Sequence, residues 1–365
     1  MKNILVTQSS MPSYEEYCEE IKSIWDTKWL TNNGEKHEEL QHKLEEYLGA
    51  KHVTLFCNGH SALYSAIKTL GLTGEIITTP YTFASTTHAI VQNGCVPVFC
   101  DIKEDDFTID VDKIESLITE NTSAILAVHV YGNPCDVDKI DKIAKKHNLK
   151  VIYDAAHAFG VKYKGKPIAS YGDVSMFSFH ATKVFNTIEG GCLAFNDDSL
   201  VKKLDQLKNF GIVDAEHVNF PGFNYKMNEF QAAMGICNLR HLDDEIKKRK
   251  KNVGLYLKLL KDVNGINLNA YKRNIVYNYA YFPILVNDDF KYSRDNVYLL
   301  LAQEGIFSRK YFYPLTSDFE CYKEFNNGNL NIASKVSDSV LTLPLYADLK
   351  EEEIKKICTV LKKIQ

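Results

Sequence analysis

The sequence predicts an α/β protein with a mostly parallel seven-stranded sheet between helices, followed by a smaller α+β domain. Two observations carry this. Between about residue 50 and residue 195, short β-branched runs alternate with helical patterns, as expected of a sheet covered on both faces. After Asn228 the pattern changes to one long helical stretch and then to mixed strand and helix. A length of 365 residues accommodates one large domain and one smaller one.

The strand candidates are His52–Phe56, Glu75–Thr79, Val96–Cys100, Ser123–Val128, Lys150–Asp154, Asp173–Ser178 and Gly191–Phe195. Between them, helical spacing marks Ser61–Leu70, Thr82–Val91, Val111–Ile118 and Asp136–His147. Two helical segments precede the sheet, the first starting at Ser13 with Glu16 three residues on, the pattern of a capping box. The stretch from Asn228 to about Leu260 contains the basic run KKRKK at 247–251, read as the solvated face of a helix. Strand-like Val276–Leu285, a helix near Ser293–Glu304 and a last helix at Lys350–Ile364 complete the chain. The expected division is 1–245 for the large domain with its N-terminal helices and 246–365 for the small one.

Hydrophobic content of 45% and charged content of 25% are those of a globular protein. A net charge of −4 gives no global attraction to nucleic acid or an anionic membrane, so an anionic substrate needs a local site. The N-terminus lacks the pattern of a signal peptide, and no apolar run is long enough to cross a bilayer. The nine cysteines are scattered and form no CxxC pair, which argues against a zinc site or a disulfide framework. The expectation is a cytoplasmic chain with reduced, mostly buried thiols and no metal.

Four motifs follow successive strands, where ligands collect in open α/β sheets. Cys57-Asn58-Gly59-His60-Ser61-Ala62 opens a helix, and glycine plus unpaired helix-start amides suit a phosphate, although a plain turn has the same signature. Pro80-Tyr81-Thr82-Phe83 offers an aromatic that either stacks on a flat heterocycle or fills the core. Asp154 ends an apolar strand ahead of Ala155-Ala156-His157, and a carboxylate there needs a partner, either a protonated pyridine nitrogen or a helix start it caps. The run Ser178-Phe179-His180-Ala181-Thr182-Lys183, then Glu189-Gly190-Gly191, places a lysine just beyond a strand. A desolvated lysine there becomes a nucleophile for carbonyl chemistry; the bland alternative is a surface lysine.

Together these segments resemble the DegT/DnrJ/EryC1/StrS aminotransferases, fold-type-I pyridoxal-phosphate enzymes that mostly aminate nucleotide-linked keto-sugars. The resemblance runs nearly end to end, through Trp29-Leu30-Thr31, Gly222-Phe223-Asn224-Tyr225-Lys226-Met227, Gln231-Ala232-Ala233, Tyr313-Pro314-Leu315 and Leu343-Pro344-Leu345. It implies that Lys183 forms the Schiff base with the cofactor and shuttles the proton, and that Asp154 keeps the pyridine nitrogen protonated. It further implies that Phe83 stacks on the ring, that Gly59, His60, Ser61 and Ser178 hold the phosphate, and that His157 lies beside the cofactor hydroxyl. Asn224 is implied to reach the phosphate of a neighbouring subunit, making a homodimer with shared sites. Trp29, His180, Lys226 and Tyr313 are implied substrate contacts.

His60, His157 and Lys226 stand where Thr, Gln and Arg are frequent in the family; Lys226 gives up the bidentate fork of arginine. The implied reaction passes an amino group, from glutamate as in relatives, through pyridoxamine phosphate to a sugar ketone, in surface-glycan or related amino-sugar biosynthesis. A related group that removes a sugar hydroxyl has His in the lysine position. The run from His180 to Thr187 leans to C4 of a dTDP-linked 4-keto-6-deoxyhexose; the alternatives are a C3-specific enzyme or a cofactor-binding regulator without turnover. A desulfurase needs a mobile cysteine loop, and none is recognisable.

Overall fold

A computed structural model describes residues 3–326 and 328–365. Its main sheet has seven strands in the order His52–Phe56, Gly191–Phe195, Val174–Ser178, Lys150–Asp154, Thr122–Val128, Glu75–Thr78 and Val96–Phe99. Gly191–Phe195 runs antiparallel to both neighbours; the other pairings are parallel. All seven expected strands form, within one residue at either end.

The two-residue period of a strand sorts its side chains onto opposite faces. Ile125, Ala127, Tyr153 and Phe177 enter one apolar cluster with Leu40, Leu44, Ile140 and Ile236 from helices. Ala124, Leu126, Ile152 and Met176 enter another, packed by Ala62, Leu63, Ile67 and Ile90. Burial on both faces explains why these strands read as nearly continuous apolar runs. It also leaves the carboxyl ends of the parallel strands as the place where polar side chains gather.

A third cluster belongs to the C-terminal part. There an antiparallel sheet of Ile266–Leu268, Phe282–Val286 and Val340–Leu343 packs on helices Arg294–Gln303 and Glu351–Lys363. The helix Glu229–Leu260 runs unbroken through residue 245, giving Ile236 and Leu242 to the first cluster and Val253, Tyr256 and Leu260 to the third. Its start is a capping box of Asn228 and Gln231. Ile4 also joins the third cluster, and the Leu345 amide donates to the Val6 carbonyl. The N-terminal segment thus crosses onto the C-terminal part.

Three expectations need correction. Ser13 caps the first helix by accepting from the Glu16 amide, but the Glu16 carboxylate turns to Arg240 and His241 instead of closing a box. Arg249, in the middle of the basic run, is buried and donates to the Ala280 and Leu345 carbonyls. The helical repeat puts it on the face of Leu242, Val253 and Tyr256, which outweighs the charge of its neighbours. Val276–Leu285 is not one strand. Ile275–Val276 pairs with Lys162–Tyr163, and the ladder resumes only at Phe282. Between them buried Asn278 donates to the His157 and Phe159 carbonyls, tying this stretch to the loop after strand Lys150–Asp154. Among the described residues no helix is long and apolar enough to cross a membrane.

Candidate active site

At the carboxyl ends of the parallel strands lies a cavity of about 530 Å³. Its floor begins where strand His52–Phe56 passes into helix Gly59–Thr69. Asn58 caps that helix through Oδ1, which accepts from the Ser61 amide at 2.8 Å. Among the described residues this leaves the Gly59 and His60 amides as the unpaired donors of the first turn. A Cβ on Gly59 would lie 2.8 Å from Ser178 Cβ, and one on Gly191 would lie 2.6 Å from the Gly59 nitrogen. Only glycine at both places lets the helix start, the Ser178 hydroxyl and the Gly191 strand meet. Amides, hydroxyl and helix dipole together make an anion cradle.

Asp154, 5% exposed, ends its strand at the same cavity. Its Oδ2 accepts from the Thr86 hydroxyl at 2.8 Å and its Oδ1 from the Ala156 amide at 3.1 Å. Burial raises the carboxyl above the ordinary range, against the opposing pull of Thr86, the Ala156 amide and Lys183. A buried carboxylate so placed favours a cationic N–H donor from a ligand. Because Thr86 donates to Asp154, the hydroxyl of Thr82, 2.8 Å away, donates to Thr86.

His157 stays neutral: burial, then the nearby Lys183 charge, holds its imidazole well below the usual value. The Tyr131 amide donates to Nδ1 at 3.1 Å, so the ring proton resides on Nε2. His157 therefore presents an N–H donor, its ring stacked parallel to Phe312 at a centroid distance of 5.8 Å and met by the tilted ring of Tyr281 at 4.7 Å. Lys183 Nζ donates to the Tyr281 hydroxyl at 3.4 Å. Phe83 starts helix Ala84–Gln92, is 60% exposed, and offers an open aromatic face at the cavity. His180 lies at the rim, 2.8 Å from the Thr182 hydroxyl and 3.5 Å from Glu189.

The cavity thus unites Gly59, His60, Phe83, Asp154, His157, Ser178, His180 and Lys183. Other expected residues lie elsewhere. The Ser61 amide and hydroxyl both bond to Asn58, so neither is free for a ligand. The His60 ring is engaged by Ser85 and Gln92, which leaves its backbone amide as the cradle donor. Tyr313 lines an adjoining cavity of about 430 Å³, with the Arg294 guanidinium 4.6 Å from its ring centre. Asn224 is exposed and accepts from Lys226 Nζ at 2.8 Å, and neither lines the cavity, although the Cys57 amide donates to the Tyr225 carbonyl beside them. Trp29 is 56% exposed, lies against Gly34 and does not line the cavity.

Sequence reasoning missed Thr86, Tyr131, Asn278, Tyr281, Arg309, Tyr311 and Phe312. Thr86 carried a signal, lying one helical turn beyond Thr82. Arg309 stands four residues ahead of Tyr313, in a stretch already read as functional. Tyr281 had none: it sits 98 residues from the lysine it meets.

The arrangement can seat a flat anionic heterocycle: phosphate at the helix start, a ring N–H on Asp154, Phe83 on a face, and Lys183 within the same chamber. Comparison with known proteins agrees. The model of the DegT/DnrJ/EryC1/StrS aminotransferase family matches residues 13–362. The dTDP-4-amino-4,6-dideoxy-D-glucose transaminase of Escherichia coli is 48% identical over 366 residues, covering 99% of this chain and 98% of that protein. The structure of DesI in the presence of its TDP-sugar product superposes with a TM-score of 0.95 at 32% identity, covering 100% of this chain and 93% of that one. Spr1654 from Streptococcus pneumoniae in its PLP-form gives 0.92 at 26% identity, with full coverage of both chains. With its fold-type-I architecture and a match of this extent, the chain belongs to the DegT/DnrJ/EryC1/StrS aminotransferase family.

Proposed function

We propose that this enzyme moves the amino group of glutamate to C4 of a dTDP-linked 4-keto-6-deoxyhexose, with pyridoxal phosphate bound in the 530 Å³ cavity. The observation that carries the reading is a buried carboxylate, a lysine and an anion cradle in one chamber. The substrate comes from the near-full-length likeness to the E. coli transaminase, whose name specifies a 4-amino-4,6-dideoxy sugar.

The residues fit the cofactor. Gly59 and His60 amides and the Ser178 hydroxyl would hold its phosphate, Asp154 its ring nitrogen, and His157 Nε2–H its ring hydroxyl. When bound, the cofactor supplies a protonated ring that accepts the electron pair left on a substrate carbon. Asp154 keeps that proton in place, because its buried carboxylate is costly without a cationic partner. Lys183 Nζ takes the proton from the substrate carbon and returns it, as the lysine of the chamber. The aromatic wall of Phe83, Tyr281 and Phe312 limits water.

Active sites shared within a homodimer complete the proposal. Phe210, Ile212, Val213 and Val218 are exposed apolar residues on the segment that leads to Asn224. Such a surface favours association, and a two-fold axis lets each copy give the same segment to the other. Mixing inactive Lys183→Ala with inactive Asn224→Ala protomers should restore activity. No recovery between variants that demonstrably exchange subunits would remove this part.

The substrate is tested with isotopically labelled glutamate and a panel of keto-sugar nucleotides, read by mass spectrometry. Label in a dTDP-4-amino-4,6-dideoxyhexose is the expected outcome. Label in a 3-amino product, or in none, overturns the substrate assignment.

A further inference from the structure

Arg309 stands on the wall common to the two cavities. Its backbone is fixed to strand Val340–Leu343: its amide donates to the Thr342 carbonyl at 3.0 Å and its carbonyl accepts from the Thr342 amide at 2.7 Å. Its side chain is aimed by Tyr311, whose hydroxyl accepts from Nη1 at 2.6 Å. Among the described residues it forms no ion pair within 4.0 Å, unlike Arg294 with Asp295 or Arg240 with Glu16 and Glu20. The other charges near it are spoken for. Lys310 pairs with Asp295, Glu189 faces His180, and Asp154 is buried against Thr86. What remains at this wall is one braced guanidinium with free donors and no counter-charge.

Two tyrosines connect it to the reacting lysine. Lys183 Nζ donates to Tyr281, and the Tyr281 and Tyr311 rings meet edge-on with centres 6.0 Å apart. Arg309 is therefore in the same chamber as Lys183, on a firm support.

We propose that Arg309 seats the α-carboxylate of the amino donor, an inference that rests on the aminotransfer reading above. The α-carboxylate is bonded to the carbon that loses its proton, so its anchor has to lie inside the lysine's chamber. A nucleotide-sugar diphosphate hangs from C1, across the hexose ring from C4, and extends away from the reacting carbon. The planar fork of a guanidinium also matches a carboxylate in two parallel hydrogen bonds.

The test separates the two half-reactions of the holoenzyme. Glutamate alone, or the amino-sugar nucleotide alone, bleaches the visible band of the lysine-bound cofactor. In Arg309→Gln the half-saturating glutamate concentration should rise about tenfold or more, as for loss of a hydrogen bond to a charged group, with the amino-sugar half-reaction unchanged. Arg309→Lys should recover part of the loss. 4-Aminobutyrate, which is glutamate without its α-carboxylate, should be a poor donor for the wild type and insensitive to Arg309→Gln. Calorimetry of glutamate binding to Lys183→Ala, alone and combined with Arg309→Gln, gives a readout that needs no turnover. Weaker binding in the double variant supports the seat even if the sugar assignment fails. A loss confined to the amino-sugar half-reaction would instead assign Arg309 to the diphosphate. That result, or equal glutamate affinity with and without the guanidinium, overturns the proposal.

Discussion

Replacing Thr86 by valine keeps the shape of a fully buried side chain and removes one hydroxyl. That hydroxyl donates to Asp154 Oδ2 at 2.8 Å and accepts from Thr82 at 2.8 Å. A hydrogen bond to a charged group contributes about 1.5–3 kcal/mol. If Asp154 acts as the counter-charge of the ring nitrogen, this loss should lower kcat/KM by about tenfold to one-hundred-fold. The sign of the pH effect follows from the same contact. Thr86 pulls the Asp154 carboxyl down against the burial that raises it, so without Thr86 it rises further. The acid limb of the rate profile should therefore move to higher pH. The Thr82 hydroxyl loses its acceptor, a destabilisation of about 1–3 kcal/mol partly offset by the added methyl. Steady-state kinetics from pH 5 to 9 with paired thermal unfolding separate these effects. Thr86→Ser, which keeps the hydroxyl, should regain most of the rate. A valine variant with the wild-type rate and acid limb, or a serine variant as impaired as valine, would refute the reasoning.

Other changes have equally definite outcomes. Tyr281→Phe keeps the ring against His157 but removes the acceptor 3.4 Å from Lys183 Nζ, and should lower kcat about fivefold, with KM held, as for one modest hydrogen bond. Single-turnover proton transfer at the wild-type rate would remove Tyr281 from this role. Asp154→Asn should abolish all but a trace of turnover and leave folding nearly intact; a small rate effect would make Asp154 a cap for Ala156 and nothing more. Burial pushes the His129 imidazole down to about 3, so it stays neutral while the unfolded chain takes up a proton below about 6.5. The stability tied to it is present above that pH and lost as pH falls towards the folded value. His129→Asn should remove about 1.4 kcal/mol per pH unit from the slope of unfolding free energy between pH 6 and 5. An unchanged slope in urea titrations would contradict this.

Much of the architecture was legible because burial on both faces writes each strand as a short apolar run and each helix as a repeat. Lys150–Asp154 and Gly191–Phe195 could be placed to the residue for that reason. Asp154 stood out because a carboxylate ending an apolar run conflicts with its surroundings, whereas Ser178 and Lys183 were marked by the family resemblance of the segment just beyond a strand. What stayed hidden depends on tertiary approach. Arg249 looked solvated inside a basic run, and only the packed helix reveals that its position faces the core. Ser61 looked like a phosphate ligand, yet its short side chain and its amide close back on Asn58. Tyr281 and Arg309 reach the site from the C-terminal part of the chain, and local periodicity contains no trace of such a meeting. Asn278 interrupts an apparent strand because its amide serves two carbonyls of the loop that follows strand Lys150–Asp154.

The central claim is that this cavity holds pyridoxal phosphate through Lys183. Borohydride treatment of the loaded protein, followed by peptide mapping, tests it directly. The reduced cofactor should be found on the peptide containing Lys183, at one equivalent per chain, and should be lost in Lys183→Ala. Recovery of the label on another lysine, or stoichiometric labelling that survives Lys183→Ala, would contradict the account.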